Sequence, residues 1–171
     1  MLKEKVDKLV DKYLDEVISI RRHIHQNPEL SLKEFETSKF VANELRKIGL
    51  EAQEGVGKGE KTLMLRADMD ALPIQEETGL PFSSKNPGVM HACGHDIHTS
   101  ILLGVTKVLN EIKDEINGNV KFVFQPAEEN NPVGGAPLMI KEGVLENPHV
   151  DNAVALHVWD YPIGTVAVKP N

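Results

Sequence analysis

The sequence has 171 residues, of which 40% are hydrophobic and 26% are charged, so we expect one globular domain over residues 1–171. Its formal net charge of −7 argues against nucleic acid as the main partner, because phosphate groups are bound by basic surfaces. The absence of an apolar run of about 18 residues, of a signal-peptide pattern and of a second cysteine predicts a cytoplasmic protein without membrane contact or an internal disulfide.

The first part of the chain predicts two helices joined by a turn. Apolar residues recur at three- and four-residue steps through residues 2–18, which indicates an amphipathic helix. Asn27-Pro28 then favours a turn. Ser31 and Glu34 have the spacing of a capping box, which predicts that a second helix begins there. The expected buried stripe of that helix consists of Phe35, Val41, Leu45 and Ile48.

A central strand is predicted next, with two aspartates at its end. Residues 51–60 contain three glycines and predict a strand remnant and a turn, whereas residues 62–67 are mostly apolar and predict a buried strand. Asp68 and Asp70 follow and share one face, since residues two apart on a strand point the same way. Functional sites in open α/β sheets gather at the carboxyl ends of strands. The alternative is that the two aspartates cap a turn.

The densest group of metal-ligand side chains lies between Met90 and Ser100. This stretch contains three histidines, one aspartate and the single cysteine, and an apolar helical pattern follows it to Ile112. Thiolate and imidazole groups at the start of a buried helix predict a metal site on a rigid support. The alternative is that these side chains occur at a helix start by chance.

The last third of the chain predicts further strands that end in polar residues. A strand over residues 120–125 delivers Glu128 and Glu129, of which one could bind a metal while its neighbour moves a proton. A short helix is predicted after Gly134-Gly135. A strand over residues 150–158 carries His157, and the alternative to a metal ligand there is a buried structural histidine. Residues 164–169 predict a last strand. This alternation indicates an α/β fold with a mainly parallel sheet and helices on both faces.

The predicted strand ends bring seven candidate donors together, which are Asp68, Asp70, Cys93, His95, Glu128, Glu129 and His157. This mixture suits zinc or a manganese-type divalent ion, and the excess over four donors indicates two ions that share ligands. A metal pair can activate a water and polarise a carbonyl. Cys93 as the nucleophile of a thiol hydrolase is a weaker alternative, because it would need a dedicated base and a group to orient that base.

Four stretches of the sequence resemble motifs of the M20 metallopeptidase family. The resemblance is to its amidohydrolase branch, which includes hippurate hydrolase, N-acyl-amino-acid deacylases, auxin-conjugate hydrolases and N-acetyldiaminopimelate deacetylase. Residues 21–30 resemble the same branch, and the match follows the family's order along essentially the whole chain. The four stretches are RADMDALP at 66–73, MHACGHDIH at 90–98, FQPAEE at 124–129 and LHV at 156–158.

The resemblance implies a zinc-peptidase-like αβα sandwich and assigns roles to the candidate residues. The implied metal ligands are Cys93, His95, Glu129 and His157, and the implied catalytic residues are Glu128, Asp70 and Asp68. Glu128 would act as general base and later as acid, and Asp70 would orient a ligand. Other branches carry a metal-binding histidine where this chain has Asp68. We expect His91 and His98 to lie next to the metal ligands without binding a metal ion themselves. The implied cofactor is a pair of divalent ions among zinc, manganese, cobalt and nickel, and the implied substrate is an N-acyl amino acid or short peptide.

Family members are about twice this length, and they continue into a lid or dimerisation domain before the catalytic domain resumes and supplies a last ligand histidine. The resemblance therefore implies that this chain corresponds to the N-terminal portion of the catalytic domain, without the lid. Two hypotheses follow. One is a metal-dependent amide hydrolase; the other is a catalytically impaired chain that retains a metal site and acts only by binding or by self-association.

Overall fold

The computed structural model of the protein describes residues 1–51, 56–130 and 132–168, and these residues form four helices and three strands. A short 3-10 turn at Lys113–Glu115 connects α3 to β2. In chain order, the elements are α1 (Leu2–Gln26), α2 (Phe35–Lys47), β1 (Val56–Asp68), α3 (His95–Glu111), β2 (Asn117–Gln125), α4 (Ala136–Lys141) and β3 (Asn152–Ala155).

The described strands form one parallel sheet in the order β2-β1-β3. In its register Asp68 pairs with Gln125, and Arg66 pairs with Ala155. Parallel strands end at the same edge of a sheet, so the residues that follow β1, β2 and β3 come together there. The α/β class with a parallel sheet and helices is therefore confirmed.

Three helices cover one face of the sheet. Ile20 and Ile24 of α1, Val41 of α2 and Leu103 of α3 pack with Met69 in one buried cluster. A second cluster lies beside it, beneath the ends of α2 and α3, and is built on Leu50 and Val120. These contacts pack α3 against β1 and against Met69, which follows β1.

The opposite face of β2 is covered by the segment that follows α4. Lys121 alternates with the core-facing Val120, so its side chain points away from α3. Its Nζ donates to the backbone carbonyls of Val144, Glu146 and Pro148 at 2.9, 2.7 and 3.0 Å. This one side chain therefore attaches the chain between α4 and β3 to the sheet.

The predicted capping box at Ser31 and Glu34 is wrong. Helix α2 begins at Phe35, and the N-cap residue Glu34 makes no side-chain cap hydrogen bond. The Ser31 hydroxyl donates to Asp70 instead, so a tertiary contact has replaced the local one. Phe35 is also 67% exposed rather than buried, because the helix turns that position towards solvent.

The predicted strands at the end of the chain are shorter in the structure. The strand over residues 150–158 is formed only at Asn152–Ala155, where β1 supplies a hydrogen-bonding partner, and His157 lies just beyond it. The last predicted strand is wrong for residues 164–168, which pair with no described strand. Residue 169 and residues 52–55 of the earlier strand-and-turn prediction lie outside the described residues. Among the described helices, none has the length and apolarity needed to cross a membrane.

Candidate metal centre

A glycine at the start of α3 brings Cys93, His95 and the segment after β3 together. Gly94 has a φ of 85°, which places it in the left-handed region that favours glycine. A Cβ atom there would lie 2.5 Å from Cγ2 of Val158. The missing side chain therefore lets the segment that contains His157 approach, and the Cys93 sulfur lies 3.5 Å from Nε2 of His157.

His95 is the centre of the donor cluster. Among the described residues, ligand atoms lie within 4.8 Å of one another in three groups, and His95 belongs to all of them. The structure thus places the other three sequence-predicted ligands, together with Asp68 and Glu128, around the imidazole of His95. The groups are Cys93 with His95 and His157, Asp68 with His95 and His98, and His95 with Glu128 and Glu129.

Asp70 orients two of these donors at once. Its Oδ1 accepts a hydrogen bond from Nδ1–H of His95 at 3.1 Å. Its Oδ2 accepts from the Ser31 hydroxyl at 2.6 Å and from the backbone N–H of Glu129 at 3.0 Å. Burial raises the pKa of Asp70, but the hydrogen bonds from His95, Ser31 and Glu129 lower it to about 2. Asp70 is therefore a fixed anion at neutral pH.

The free ring nitrogen of His95 suits a metal cation. His95 is 1% exposed, and its Nε2 is buried without a hydrogen-bond partner. That nitrogen lies 3.7 Å from Oδ1 of Asp68 and 3.9 Å from Oε1 of Glu129. Burial lowers the pKa of His95, but Asp70 and Asp68 raise it to a greater extent, so the site attracts positive charge. A carboxylate that holds the far nitrogen of a histidine is the usual support of a metal-binding imidazole.

Asp68 is held by its own partners rather than by a turn. Its Oδ2 accepts from Nη1 of Arg66 at 2.6 Å, and its Oδ1 accepts from Nδ1–H of His98 at 2.6 Å. Burial raises the pKa of Asp68, but His98, His95 and Arg66 lower it by more, so the pKa lies below its ordinary value. Asp68 and Asp70 both bind histidine side chains, and Asp70 also accepts a backbone N–H from the distant turn that carries Glu129, so these contacts are with other parts of the chain.

His98 links Asp68 to the strand segment that carries His157. Its Nε2 accepts a hydrogen bond from the backbone N–H of Val158 at 2.9 Å, while Nδ1 donates to Asp68. Both ring nitrogens of His98 are therefore hydrogen-bonded, and its ring lies beside that of His95. His157 is exposed, and its Nδ1–H donates to the carbonyl of Val158 at 2.6 Å, so its Nε2 lone pair faces Cys93. The alternative of a buried structural histidine is wrong for His157.

The Cys93 thiol is unsuited to act as a free nucleophile. Burial and the nearby Glu129, Asp68 and Glu128 carboxylates raise its pKa to about 11. The thiolate is the reactive form, and little of it exists at neutral pH with this pKa. A divalent cation at the site would favour the thiolate, because a coordinated thiol is deprotonated. The environment therefore fits a metal ligand better than a thiol hydrolase.

Glu128 and Glu129 follow β2 on a tight turn. The preceding Ala127 has a φ of 55° and is fully buried, and its N–H donates to Oε1 of Glu34 at 2.6 Å. Glu129 is half-buried beside His95, whereas Glu128 is exposed. Ser31 contacts Asp70 and Glu34 contacts Ala127, and sequence reasoning missed both contacts because the spacing of the two residues matched a local capping pattern. Their sequence position beside the motif-like residues 21–30 was the available signal.

An open cavity borders the donor cluster at Cys93 and His157. Cys93 and His157 line it on one side, and Ile97, Val158 and Trp159 add apolar surface. Its volume is about 470 Å³, which is in the range of small-molecule sites.

Comparison with known proteins agrees with this geometry. The chain is 48% identical over 98% of its length to "Thermostable carboxypeptidase 2" of Saccharolobus solfataricus, of which it covers 46%. It is 46% identical over 93% of its length to "N-acyl-L-amino acid amidohydrolase" of Geobacillus stearothermophilus, of which it covers 45%. The chain therefore spans about half the length of these curated relatives.

A solved structure shows the same fold. The Bacillus subtilis YXEP protein, described as a dinuclear metal binding peptidase from the M20 family, superimposes with a TM-score of 0.84 at 40% sequence identity. That match covers 93% of this chain and 47% of the other. Residues 64–171 match the family described as Peptidase family M20/M25/M40, which is more than half of the chain. The chain therefore belongs to the M20/M25/M40 peptidase family.

Proposed function

We propose that this chain carries the metal centre of an amidohydrolase that cleaves the amide bond of N-acyl amino acids or short peptides. The observation that carries the proposal is the buried, unpartnered Nε2 of His95, which Asp70 orients towards Asp68 and Glu129. Relatives named as an N-acyl-L-amino acid amidohydrolase and as a thermostable carboxypeptidase support the substrate class.

The residues present fit a pair of divalent ions. Cys93, His95, Glu129 and His157 would hold the ions, and zinc, manganese, cobalt and nickel all accept this mixture of sulfur, nitrogen and oxygen donors. When bound, the ions would lower the pKa of a water and polarise the scissile carbonyl. Asp70 contributes by fixing the His95 ring and the Glu129 backbone, and Asp68 contributes a buried negative charge beside His95.

Glu128 is the general base in this proposal. Its carboxylate lies in the same donor group as His95 and Glu129, yet it is exposed and therefore free to reach a water and a substrate. It takes one proton from the attacking water as the water oxygen adds to the amide carbon. As the carbon–nitrogen bond breaks, it returns that proton to the departing amine. The products are a carboxylic acid and a free amine.

The second candidate function is a chain that binds metal but does not catalyse, and acts by binding or self-association. The observation that favours it is the apolar surface at and after β3. Val154 is 54% exposed, Trp159 is 72% exposed and Tyr161 is 56% exposed, and the outer edge of β3 pairs with no strand among the described residues. Unpaired strand edges with apolar side chains promote association between chains.

Hydrolysis of an N-acetyl and an N-benzoyl amino acid by the purified chain, with metal content measured in parallel, separates the two functions. The amidohydrolase hypothesis predicts release of the free amino acid by the parent. It also predicts a loss of roughly 10²–10⁴-fold in Glu128→Gln at equal metal content. Equal turnover in both would remove Glu128 as the base. Metal binding without turnover, together with concentration-dependent light scattering, would favour the second function.

A further inference from the structure

A buried carboxylate from the start of α2 holds the turn that carries Glu128 and Glu129. Glu34 is 4% exposed, and its Oε1 accepts the backbone N–H of Ala127 at 2.6 Å. The two residues are 93 positions apart in the sequence, so this contact joins separate parts of the chain. Glu34 belongs to none of the donor groups around His95.

The turn after β2 has a backbone conformation that needs support. Ala127 has a φ of 55° and is fully buried, and the left-handed conformation is unfavourable for an L-residue. Its carbonyl accepts the N–H of Gly135 at 2.8 Å, so both of its backbone polar groups are engaged. A Cβ atom on Gly135 would lie 1.8 Å from the Pro126 carbonyl oxygen. Such a conformation persists only where the surroundings fix it.

Two acidic side chains fix the backbone on either side of Glu128. Glu34 accepts the N–H of Ala127, and Asp70 accepts the N–H of Glu129 at 3.0 Å. The Glu128 side chain is exposed. Its direction is therefore set mainly by the backbone between these two anchors.

Burial makes the charged form of the Glu34 carboxyl group unfavourable. Burial raises the pKa of Glu34, and the hydrogen bond from Ala127 only partly offsets this effect. Among the described residues, the negative charge of Asp70 also raises the pKa of Glu34, and no basic side chain offsets this effect. Burial of a carboxylate costs free energy, and the backbone hydrogen bonds to Glu34 offset that cost only in part.

We propose that Glu34 is a positioning residue that fixes the turn after β2, so that Glu128 and Glu129 face His95. The inference rests on the proposed function only for the roles of those two glutamates. The position of the turn itself can be measured without metal or substrate. The feature of Glu34 that matters is the reach of its side-chain oxygen to Ala127, not its charge.

Three substitutions of Glu34 distinguish the effect of its side-chain length from the effect of its charge. Glu34→Gln keeps an acceptor oxygen at the same distance without the charge, Glu34→Asp keeps the charge but is one methylene shorter, and Glu34→Ala removes both. Glu36→Gln is the matched control, since Glu36 is an exposed carboxylate in the first turn of the same helix. The readouts are amide hydrogen exchange of Ala127 in the metal-free chain and zinc affinity by competition with a chelator.

We expect Glu34→Gln and Glu36→Gln to match the parent in both readouts. In Glu34→Asp and Glu34→Ala, Ala127 exchange should accelerate by about tenfold or more, because its hydrogen bond is lost. Zinc affinity in these two variants should fall by about tenfold, as it does when a residue that orients metal ligands is removed. If Glu34→Ala does not fold, the comparison of Gln with Asp still decides the outcome.

Two results would overturn the proposal. One is parent-like exchange and affinity in Glu34→Asp with losses in Glu34→Gln, which would show that charge matters and reach does not. The other is accelerated Ala127 exchange with unchanged zinc affinity. If the parent itself binds no zinc, the proposed function fails, and Ala127 exchange alone then decides whether Glu34 fixes the turn.

Discussion

Asp70 and His95 form the contact on which the candidate metal centre is built, with Oδ1 of Asp70 3.1 Å from Nδ1 of His95. Asp70 is an anion at neutral pH, so it can only accept a hydrogen bond from this ring. Nδ1 of His95 therefore carries a proton, and Nε2 is the ring nitrogen that faces Asp68 and Glu129. The same carboxylate also accepts the N–H of Glu129, so one residue sets the distance between two predicted ligands.

Replacing Asp70 tests this relationship. We expect Asp70→Asn to weaken zinc affinity by about 10–100-fold, because an amide does not fix the His95 tautomer. Competition with a chelator at pH 7 measures the change, and Asp7→Asn, at an exposed carboxylate on α1, is the control. Parent-like affinity in Asp70→Asn would show that His95 is oriented by other groups.

The depressed pKa of Asp70 predicts an acid-sensitive fold. A folded-state pKa of about 2 against an ordinary value of 3.8 corresponds to roughly 2 kcal/mol of stability. Because the folded value is the lower one, this stabilisation is complete above about pH 4 and is lost as the pH falls towards 2. Urea unfolding of the metal-free parent and of Asp70→Asn should show a difference that shrinks across this window. A constant difference from pH 2 to pH 6 would contradict the assignment.

His98 is expected to stabilise the fold rather than to bind metal directly. Its removal in His98→Ala leaves Asp68 without one donor and the N–H of Val158 without an acceptor, which should cost about 2–4 kcal/mol of unfolding free energy. The control is His149→Ala, at an exposed histidine that pairs only with the exposed Glu146 among the described residues. Its effect should stay within about 0.5 kcal/mol. Equal effects of the two substitutions would contradict the link through His98.

The raised pKa of Cys93 predicts slow alkylation. With a pKa of about 11 rather than 9.0, the thiolate fraction near pH 8 is roughly a hundredfold lower than in an ordinary cysteine. Iodoacetamide should therefore modify the metal-free folded chain slowly, and the urea-unfolded chain much faster. The Cys93→Ser variant measures iodoacetamide modification at groups other than Cys93. A folded chain that reacts as fast as the unfolded one would indicate an unperturbed thiol.

The sequence predicted the centre of the site better than its margins. Asp68 ends β1 and Asp70 follows it, while Glu128 and Glu129 come shortly after β2. The parallel pairing of β1 with β2 therefore brings all four to one edge of the sheet. Ser31 and Glu34 were missed because the capping pattern is local, whereas the contacts that they make join distant parts of the chain. A local sequence pattern does not show whether a side chain will cap its own helix or bind a distant part of the chain.

The edge of the sheet was predicted less well for a different reason. Apolar alternation over residues 150–158 and 164–169 indicated two strands, but a strand also needs a hydrogen-bonding neighbour. Within the part of these ranges that the structure describes, only Asn152–Ala155 finds such a neighbour, on β1. Apolar residues beyond it, including Trp159 and Ile163, are exposed instead.

Metal content is the measurement that tests the central claim most directly. We expect the purified chain, incubated with zinc and dialysed, to retain the ion by elemental analysis, and Cys93→Ala and His95→Ala to lose most of it. Glu128→Gln should retain as much metal as the parent, because Glu128 is assigned to proton transfer. Parent-like metal content in Cys93→Ala and His95→Ala would contradict the account, since the ion would then bind elsewhere on the chain.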